Sequence, residues 1–338
     1  SPSSIPMIDF HITEAVSFIE RRKARFVALQ FPEGLKVYGI PVAEELERLA
    51  GCKCIVLGDP CYGACDVSTS FKDIADVLIH FGHTPIPDLA VGEEVLFIEV
   101  GLDYSIEDML PLLAPHLKAK VGLVSTPQHL QWLPMVQRWL RAKGVDAMIG
   151  CGDARVKHPG QVLGCNVTSA SSISKDVDQF VFIGSGDFHP LAVSLETGKD
   201  VIVLDPMMRE VRDVKELRDK VLRQRHAAIA IAHEAQSFGI LISTKPGQRR
   251  RGLAMRLRAL IEGKGRRASL IALDNITPDQ LLAFKVDAFV STACPRIAID
   301  DALRYRNPIL TPVELEVALG TRSWEDYSFD SILAGSEK

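Results

Sequence analysis

The chain reads as an α/β protein: three similar small domains, each a short parallel sheet flanked by helices, arranged around a common centre. Short apolar, β-branched runs recur along all 338 residues, each closed by glycine, proline or a small polar residue. Helical patterns lie between them. The runs fall into three groups of four, opening near residues 26, 121 and 239. Runs this short, apolar on successive residues, suit strands of a parallel sheet covered on both faces, and their alternation with helices specifies the α/β class.

The first group comprises Phe26–Phe31, Ile55–Leu57, Val77–Ile79 and Val95–Ile98. The second comprises Val121–Val124, Ala147–Ile149, Phe180–Ile183 and Val201–Leu204, and the third Ile240–Ile242, Leu270–Leu273, Ala288–Val290 and Ile309–Leu310. Pro41–Ala50, Leu130–Lys143 and Arg251–Glu262 carry helical patterns between strands. The opening strands of the groups look alike, since FVALQFPEG, VGLVSTPQH and GILISTKPG each end in a proline-containing turn. This predicts a triplicated unit with domains at 1–115, 116–220 and 221–338; one continuous sheet of many strands is the alternative. Met208–Ser237 reads as one long, charged helical stretch that carries the chain from the second unit into the third.

Composition bounds the function. Hydrophobic residues make up 47% and charged residues 24%, ordinary for a globular enzyme. A net charge of −4 gives no whole-chain reason to expect nucleic-acid or membrane binding. No apolar run approaches the roughly 18 to 20 residues that span a bilayer. The opening SPSSIPM lacks a signal-peptide pattern and reads in part as an expression scar before Met7. A reducing, cytoplasmic setting is expected, where seven unevenly placed cysteines are better read as thiols or metal ligands than as a disulfide framework.

Three of those cysteines stand apart. Cys65 lies in GDPCYGACD, Cys165 in PGQVLGCN and Cys294 in STACPRIAIDD, each in a loop of small residues after a strand. In a doubly wound sheet, ligands bind beyond the carboxyl ends of strands, so three such edges facing a common centre could surround one metal centre. Buried packing thiols are the alternative. Cys52 and Cys54 at the entrance to a strand suit packing, and Cys151 is a loop thiol. Cys61 competes with Cys65 within one turn, but Gly63-Ala64 before Cys65 lets the backbone approach a bulky ligand.

YGACD, GQVLGCN and ACPRIAIDD, in this order and at these separations, resemble the three cysteine motifs of the diphthamide biosynthesis enzymes, the 2-(3-amino-3-carboxypropyl)histidine synthases, in their archaeal homodimeric form. QFPEGL, GSGDFHP, STKPGQ and LTPVE match the same family, so the resemblance spans almost the whole chain. It implies a [4Fe–4S] cluster held by Cys65, Cys165 and Cys294, with one iron left for S-adenosylmethionine. The common radical signature C-x-x-x-C-x-x-C is absent, which fits this noncanonical radical family. The implied reaction is one-electron cleavage of the bond from sulfur to the methionine γ-carbon. It releases methylthioadenosine and transfers the 3-amino-3-carboxypropyl fragment to C2 of a histidine imidazole on translation elongation factor 2. An electron donor and a homodimer are implied with it.

Position in the chain supplies candidates for the cofactor pocket. Gly184, Ser185 and Gly186 form a turn after a strand, where bare N–H groups could meet a carboxylate. His189 and His83 occupy similar turns, and Gln248 in STKPGQ could hydrogen-bond the nucleoside or methionine part. Asp205 reads as a turn former. No catalytic side chain is assigned. Residues 245–267 hold nine Lys or Arg against the single acid Glu262; this reads as a solvated helix face, with docking of an acidic protein surface as the alternative. A quinolinate synthase-like dehydratase, also resembling three α/β units with one cysteine each on a [4Fe–4S] cluster, is the rival enzyme. A zinc or redox-sensing protein is the rival from another class.

Overall fold

The computed structural model describes residues 7–300 and 302–336; the opening Ser1–Pro6 lies outside them. In chain order the first strands are β1 (Met7–Asp9), β2 (Phe26–Gln30), β3 (Lys53–Val56), β4 (Val77–Phe81), β5 (Val95–Ile98) and β6 (Gly101–Asp103). Next come β7 (Lys120–Ser125), β8 (Asp146–Met148), β9 (Gln179–Ile183), β10 (Asp200–Asp205) and β11 (Glu210–Asp213). The last are β12 (Ser237–Ser243), β13 (Arg267–Leu273), β14 (Ala288–Ser291) and β15 (Ile309–Leu310). Each of the twelve expected runs lies on one of these strands.

Three sheets share one topology: β3-β2-β4-β5, β8-β7-β9-β10 and β13-β12-β14-β15. The second strand of each group lies at an edge, followed by the first, third and fourth, and all these pairings are parallel. Two features were not expected. β1 pairs with β6 antiparallel, and β11 adds an antiparallel edge to β10.

That edge strand corrects the long helix expected over Met208–Ser237. The α-helix covers Lys215–His233. Arg212 is drawn to Asp205 and Asp187 at 3.0 and 2.9 Å, which holds Glu210–Asp213 along β10, and Ser237 already opens β12. The boundary expected between 220 and 221 falls inside this helix. The helix is pinned to the third sheet by Arg225, 1% exposed, which forms a bidentate pair with Glu314 at 2.8 and 2.6 Å. Arg225 also donates to the carbonyls of Ala298 and Ile309.

Local chemistry repeats with the topology. An aspartate sits immediately before the third strand of each group and accepts hydrogen bonds from backbone N–H groups at the start of the first strand. Asp76 accepts from Arg25 and Phe26, Asp178 from Lys120, and Asp287 from Gln236 and Ser237, all within 2.8–3.1 Å. A small residue on the first strand also stands opposite a larger one on the third: Ala28 by Leu78, Gly122 by Phe180, Gly239 by Phe289. A Cβ at Gly122 would fall 2.4 Å from the Phe180 ring, and one at Gly239 2.7 Å from the Phe289 ring. These rings fill space that only glycine leaves, and cores tolerate little added volume.

In an order of this kind the switch point lies between the first and third strands, so loops leaving their carboxyl ends open a crevice. The three crevices face one another, and the segments that follow β3 and β4, β7–β9 and β12–β14 supply the walls of a single cavity.

The repeated aspartates predict acid sensitivity. Backbone hydrogen bonds hold Asp76 below the ordinary carboxylate range, as the Ser237 hydroxyl and backbone N–H groups hold Asp287. Their contribution is therefore complete above the unfolded value of about 3.9 and is lost as pH falls through the lower folded values. Chemical denaturation between about pH 6 and 3 is expected to show a steep loss of stability that the double variant D76N/D287N flattens.

Candidate metal centre

The cavity has a volume of about 520 Å³. Cys65 enters it from the 3-10 turn Ala64–Asp66 after β3, Cys165 from the loop after β8, and Cys294 from the turn between β14 and the helix Arg296–Ile299. All seven cysteines are unpaired. These three alone share one cavity wall among the described residues.

The three thiols feel one another. Burial pushes the Cys65 thiol well up, and the neighbouring Asp66, Cys165 and Cys294 raise it further. Burial and Cys165 push Cys294 up to about 12. For Cys165 burial again raises the value, while Arg155 opposes it by charge and by a hydrogen bond to the thiol. Three neighbouring sulfurs that resist ionisation together are what a cation placed between them would relieve.

Polar side chains tie the cysteine loops across sheets. Gln248 donates from Nε2 to Cys65 Sγ at 3.2 Å, and its Oε1 accepts from the backbone N–H of Cys294 at 3.3 Å. Lys245 pairs with Asp66 at 2.6 Å, joining the turn after β12 to the turn that carries Cys65. Arg155, 1% exposed, donates to the carbonyl of Gly247. Gly247 is itself a requirement of close approach, since a Cβ there would lie 2.5 Å from Cys65 Cβ.

The carboxyl-terminal segment completes the frame. Arg250 donates to the carbonyls of Thr292 and Ala293, just before Cys294, and forms a buried bidentate pair with Asp330 at 2.6 and 2.8 Å. Two residues on, the N–H of Ile332 donates to the carbonyl of Cys165 at 2.7 Å, and Asn166 returns a bond to the carbonyl of Ile332. Ala334 N–H reaches Asp153 at 2.9 Å.

The other expected positions divide. His83, His189 and Gln248 line the cavity with the cysteines. Gly184, Ser185 and Gly186 are not among its lining residues; Ser185 donates to Asp205 at 2.7 Å, and Gly186 lends its carbonyl to Arg212. Asp205 closes that turn by accepting from the N–H groups of Met207 and Met208. Cys61 is not among the residues lining the cavity, and its Sγ lies 4.0 Å from His80 Nε2, while Cys52 and Cys54 face each other at 3.8 Å and Cys151 is exposed. The basic stretch is corrected at two places, because Lys245 and Arg250 pair with the buried Asp66 and Asp330 rather than lying on a solvated face. Arg155, Asp66 and Asp330 were not singled out in the sequence. GDAR and PCYGACD carry the first two beside candidate cysteines, but nothing local marks Asp330.

Residues 31–328 match the family model described as "Putative diphthamide synthesis protein". The chain belongs to this family. The 2-(3-amino-3-carboxypropyl)histidine synthase of Pyrococcus horikoshii is 34% identical over 334 residues, covering 96% of this chain and 93% of that one. Subunit 1 of the human enzyme of that name is 31% identical, covering 97% of this chain and 76% of that one. The crystal structure of Pyrococcus horikoshii Dph2 with a 4Fe-4S cluster superposes with a TM-score of 0.89, covering 97% of this chain and 96% of that one. The quinolinate synthase-like alternative is not favoured by these relatives. Within the diphthamide synthesis family, this chain's α/β class, with parallel sheets flanked by helices, is that of the solved relative.

Asp330 offers the test of the frame. Removing one partner of a buried ion pair typically costs about 3–5 kcal/mol. Asp330→Ala is expected to lower unfolding free energy by an amount in that range, read from denaturant midpoints at unchanged slope.

Proposed function

We propose that this chain is a 2-(3-amino-3-carboxypropyl)histidine synthase, which transfers the 3-amino-3-carboxypropyl group of S-adenosylmethionine to C2 of a histidine imidazole on translation elongation factor 2. This is the first step of diphthamide biosynthesis. The observation that carries the reading is the convergence of Cys65, Cys165 and Cys294 on one cavity in a chain of this family. The reading includes three α/β units at 1–115, 116–220 and 221–338, a homodimer, an electron donor of the small-reductase or ferredoxin kind, and a cytoplasmic setting. No helix among the described residues is long and apolar enough to cross a membrane.

The residues fit a [4Fe–4S] cluster held by Cys65, Cys165 and Cys294. The donors are three sulfurs, the backbone beside them is bare at Gly63, Gly164 and Gly247, and Arg155 and Arg250 offset charge at Cys165. When bound, the cluster supplies one electron and an iron with no protein ligand. The chain's own residues do the positioning. Gln248 holds the Cys65 and Cys294 loops at fixed separation through the two hydrogen bonds of its side-chain amide. Its N–H donation to Cys65 Sγ stabilises negative charge on that sulfur. Arg296 is braced over the Phe188 ring at 4.6 Å and by Asp300 at 2.8 Å, so its guanidinium stays at the cavity wall as a fixed positive group. A sulfonium bearing a methionine carboxylate suits such a wall, with Arg296 toward the carboxylate. Selection among the carbon–sulfur bonds would then rest on how these residues orient the bound sulfonium in the cavity.

Anaerobic incubation of the reduced protein with S-adenosylmethionine and the elongation factor tests the reading. Methylthioadenosine release and a mass gain on the factor confined to one histidine are expected; absence of both would sink it. For the ligands, Cys65→Ala, Cys165→Ala and Cys294→Ala are each expected to lower iron and sulfide per chain severalfold, with Cys61→Ala near wild type. Gly247→Ala should lower iron loading as well, because the new methyl group displaces the Cys65 turn.

A further inference from the structure

A chain of hydrogen bonds fixes which nitrogen of His83 is bare. It starts at Gln30, a buried residue at the end of β2. Gln30 Nε2 donates to the carbonyl of Asp66 at 2.8 Å, and Oε1 accepts from the N–H of Ser68 at 3.1 Å, so two backbone groups settle the amide's orientation. Oε1 also lies 2.9 Å from His80 Nδ1, and an oxygen there can only accept, so Nδ1 of His80 carries the proton. His80 is fully buried and kept neutral by burial. Its Nε2 is therefore a lone pair. That lone pair faces His83 Nδ1 at 2.8 Å, which must donate. The remaining nitrogen of His83, Nε2, is left as an acceptor on a residue that lines the cavity.

The next residue supplies a second, independent observation. Thr84 is 3% exposed and lines the same cavity, yet its Oγ1 has no hydrogen-bond partner among the described residues. Buried hydroxyls are normally paired, so an orphan at a cavity wall points to a ligand. We propose that Gln30, His80, His83 and Thr84 form a recognition corner for a heteroaromatic ring presenting an N–H donor together with a ring-nitrogen acceptor, the donor to His83 Nε2 and the acceptor to the Thr84 hydroxyl. This rests on the function proposed above, whose two reactants each bring such a ring: the adenine of S-adenosylmethionine and the imidazole of the target histidine. Gln30 and His80 are positioning residues; His83 and Thr84 touch the ligand. Burial lowers His83 to about 4, which keeps it a neutral acceptor at physiological pH and makes it a poor proton store.

The test uses the anaerobic holoprotein with its cluster oxidised and its histidines labelled with nitrogen-15. His83 should show a protonated Nδ1 and a bare Nε2 in the wild type and in His80→Gln, whose amide oxygen still accepts, and mixed tautomers in His80→Leu. Equilibrium dialysis with methylthioadenosine, and KM against kcat for the elongation factor, identify the ring. One lost hydrogen bond corresponds to about a tenfold change. If Thr84→Val and His83→Ala weaken methylthioadenosine binding about tenfold, the ring is adenine. If they leave that binding intact and raise KM for the factor about tenfold at little-changed kcat, it is the imidazole. Unchanged binding and unchanged KM overturn the proposal. So does a His83 protonated at Nε2, or one equivalent of zinc beyond the cluster that Cys61→Ala removes, since Cys61, His80 and His83 also lie close enough to share a metal ion. Spectra and nucleoside binding require no transfer, so the corner can stand or fall apart from the activity.

Discussion

The amide of Gln248 joins a sulfur from the first sheet to a backbone N–H beside the sulfur of the third. A single side chain can do this only if both loops are brought within hydrogen-bond reach from opposite sides. That demand runs through the whole molecule: three sheets must turn their carboxyl ends inward, and the loops leaving them must pack close together. Gly247 beside Cys65, Arg155 against Gly247 and Lys245 on Asp66 are consequences of packing those loops into one small volume. Each contact crosses between sheets, so no unit builds the site alone.

The same demand explains the burial of charge. Arg155 and Arg250 would be costly in an apolar interior without partners. Here they donate to backbone carbonyls that the loops leave unpaired, and Asp330 neutralises Arg250. The network makes the cavity wall rigid in the way a catalytic frame requires, with side chains locked by neighbours on two sides. The cavity wall itself carries both signs of charge, Asp66, Asp274 and Asp300 with Lys245, Arg296 and Arg304.

Much of this was legible in the sequence, for identifiable reasons. The strand runs were visible because the central strands are covered on both faces, which makes the runs largely apolar; Val77–Phe81 and Gln179–Ile183 are buried at every position. The three cysteines were visible because their motifs are specific. Glu210–Asp213 was not, since an edge strand held by Arg212 and its acids looks like any charged helical stretch. Ser185 and its glycines had the outward form of an anion site, but Asp205 and Arg212, distant in sequence or local only by geometry, take up their polar groups. Asp330 lies 80 residues from Arg250, and no spacing rule connects them. The aspartates at 76, 178 and 287 were legible in principle, as a repeat of one acid before each third strand, because they act on adjacent backbone.

The carboxyl-terminal segment from Phe329 to Gly335 joins two parts of the site. Asp330 ties it to Arg250, which in turn holds the carbonyls just before Cys294, and Ile332 ties it to the carbonyl of Cys165. One short stretch of chain thus acts as a common latch on two cysteine loops from different sheets, so the two loops are coupled and loosen together if the latch is lost.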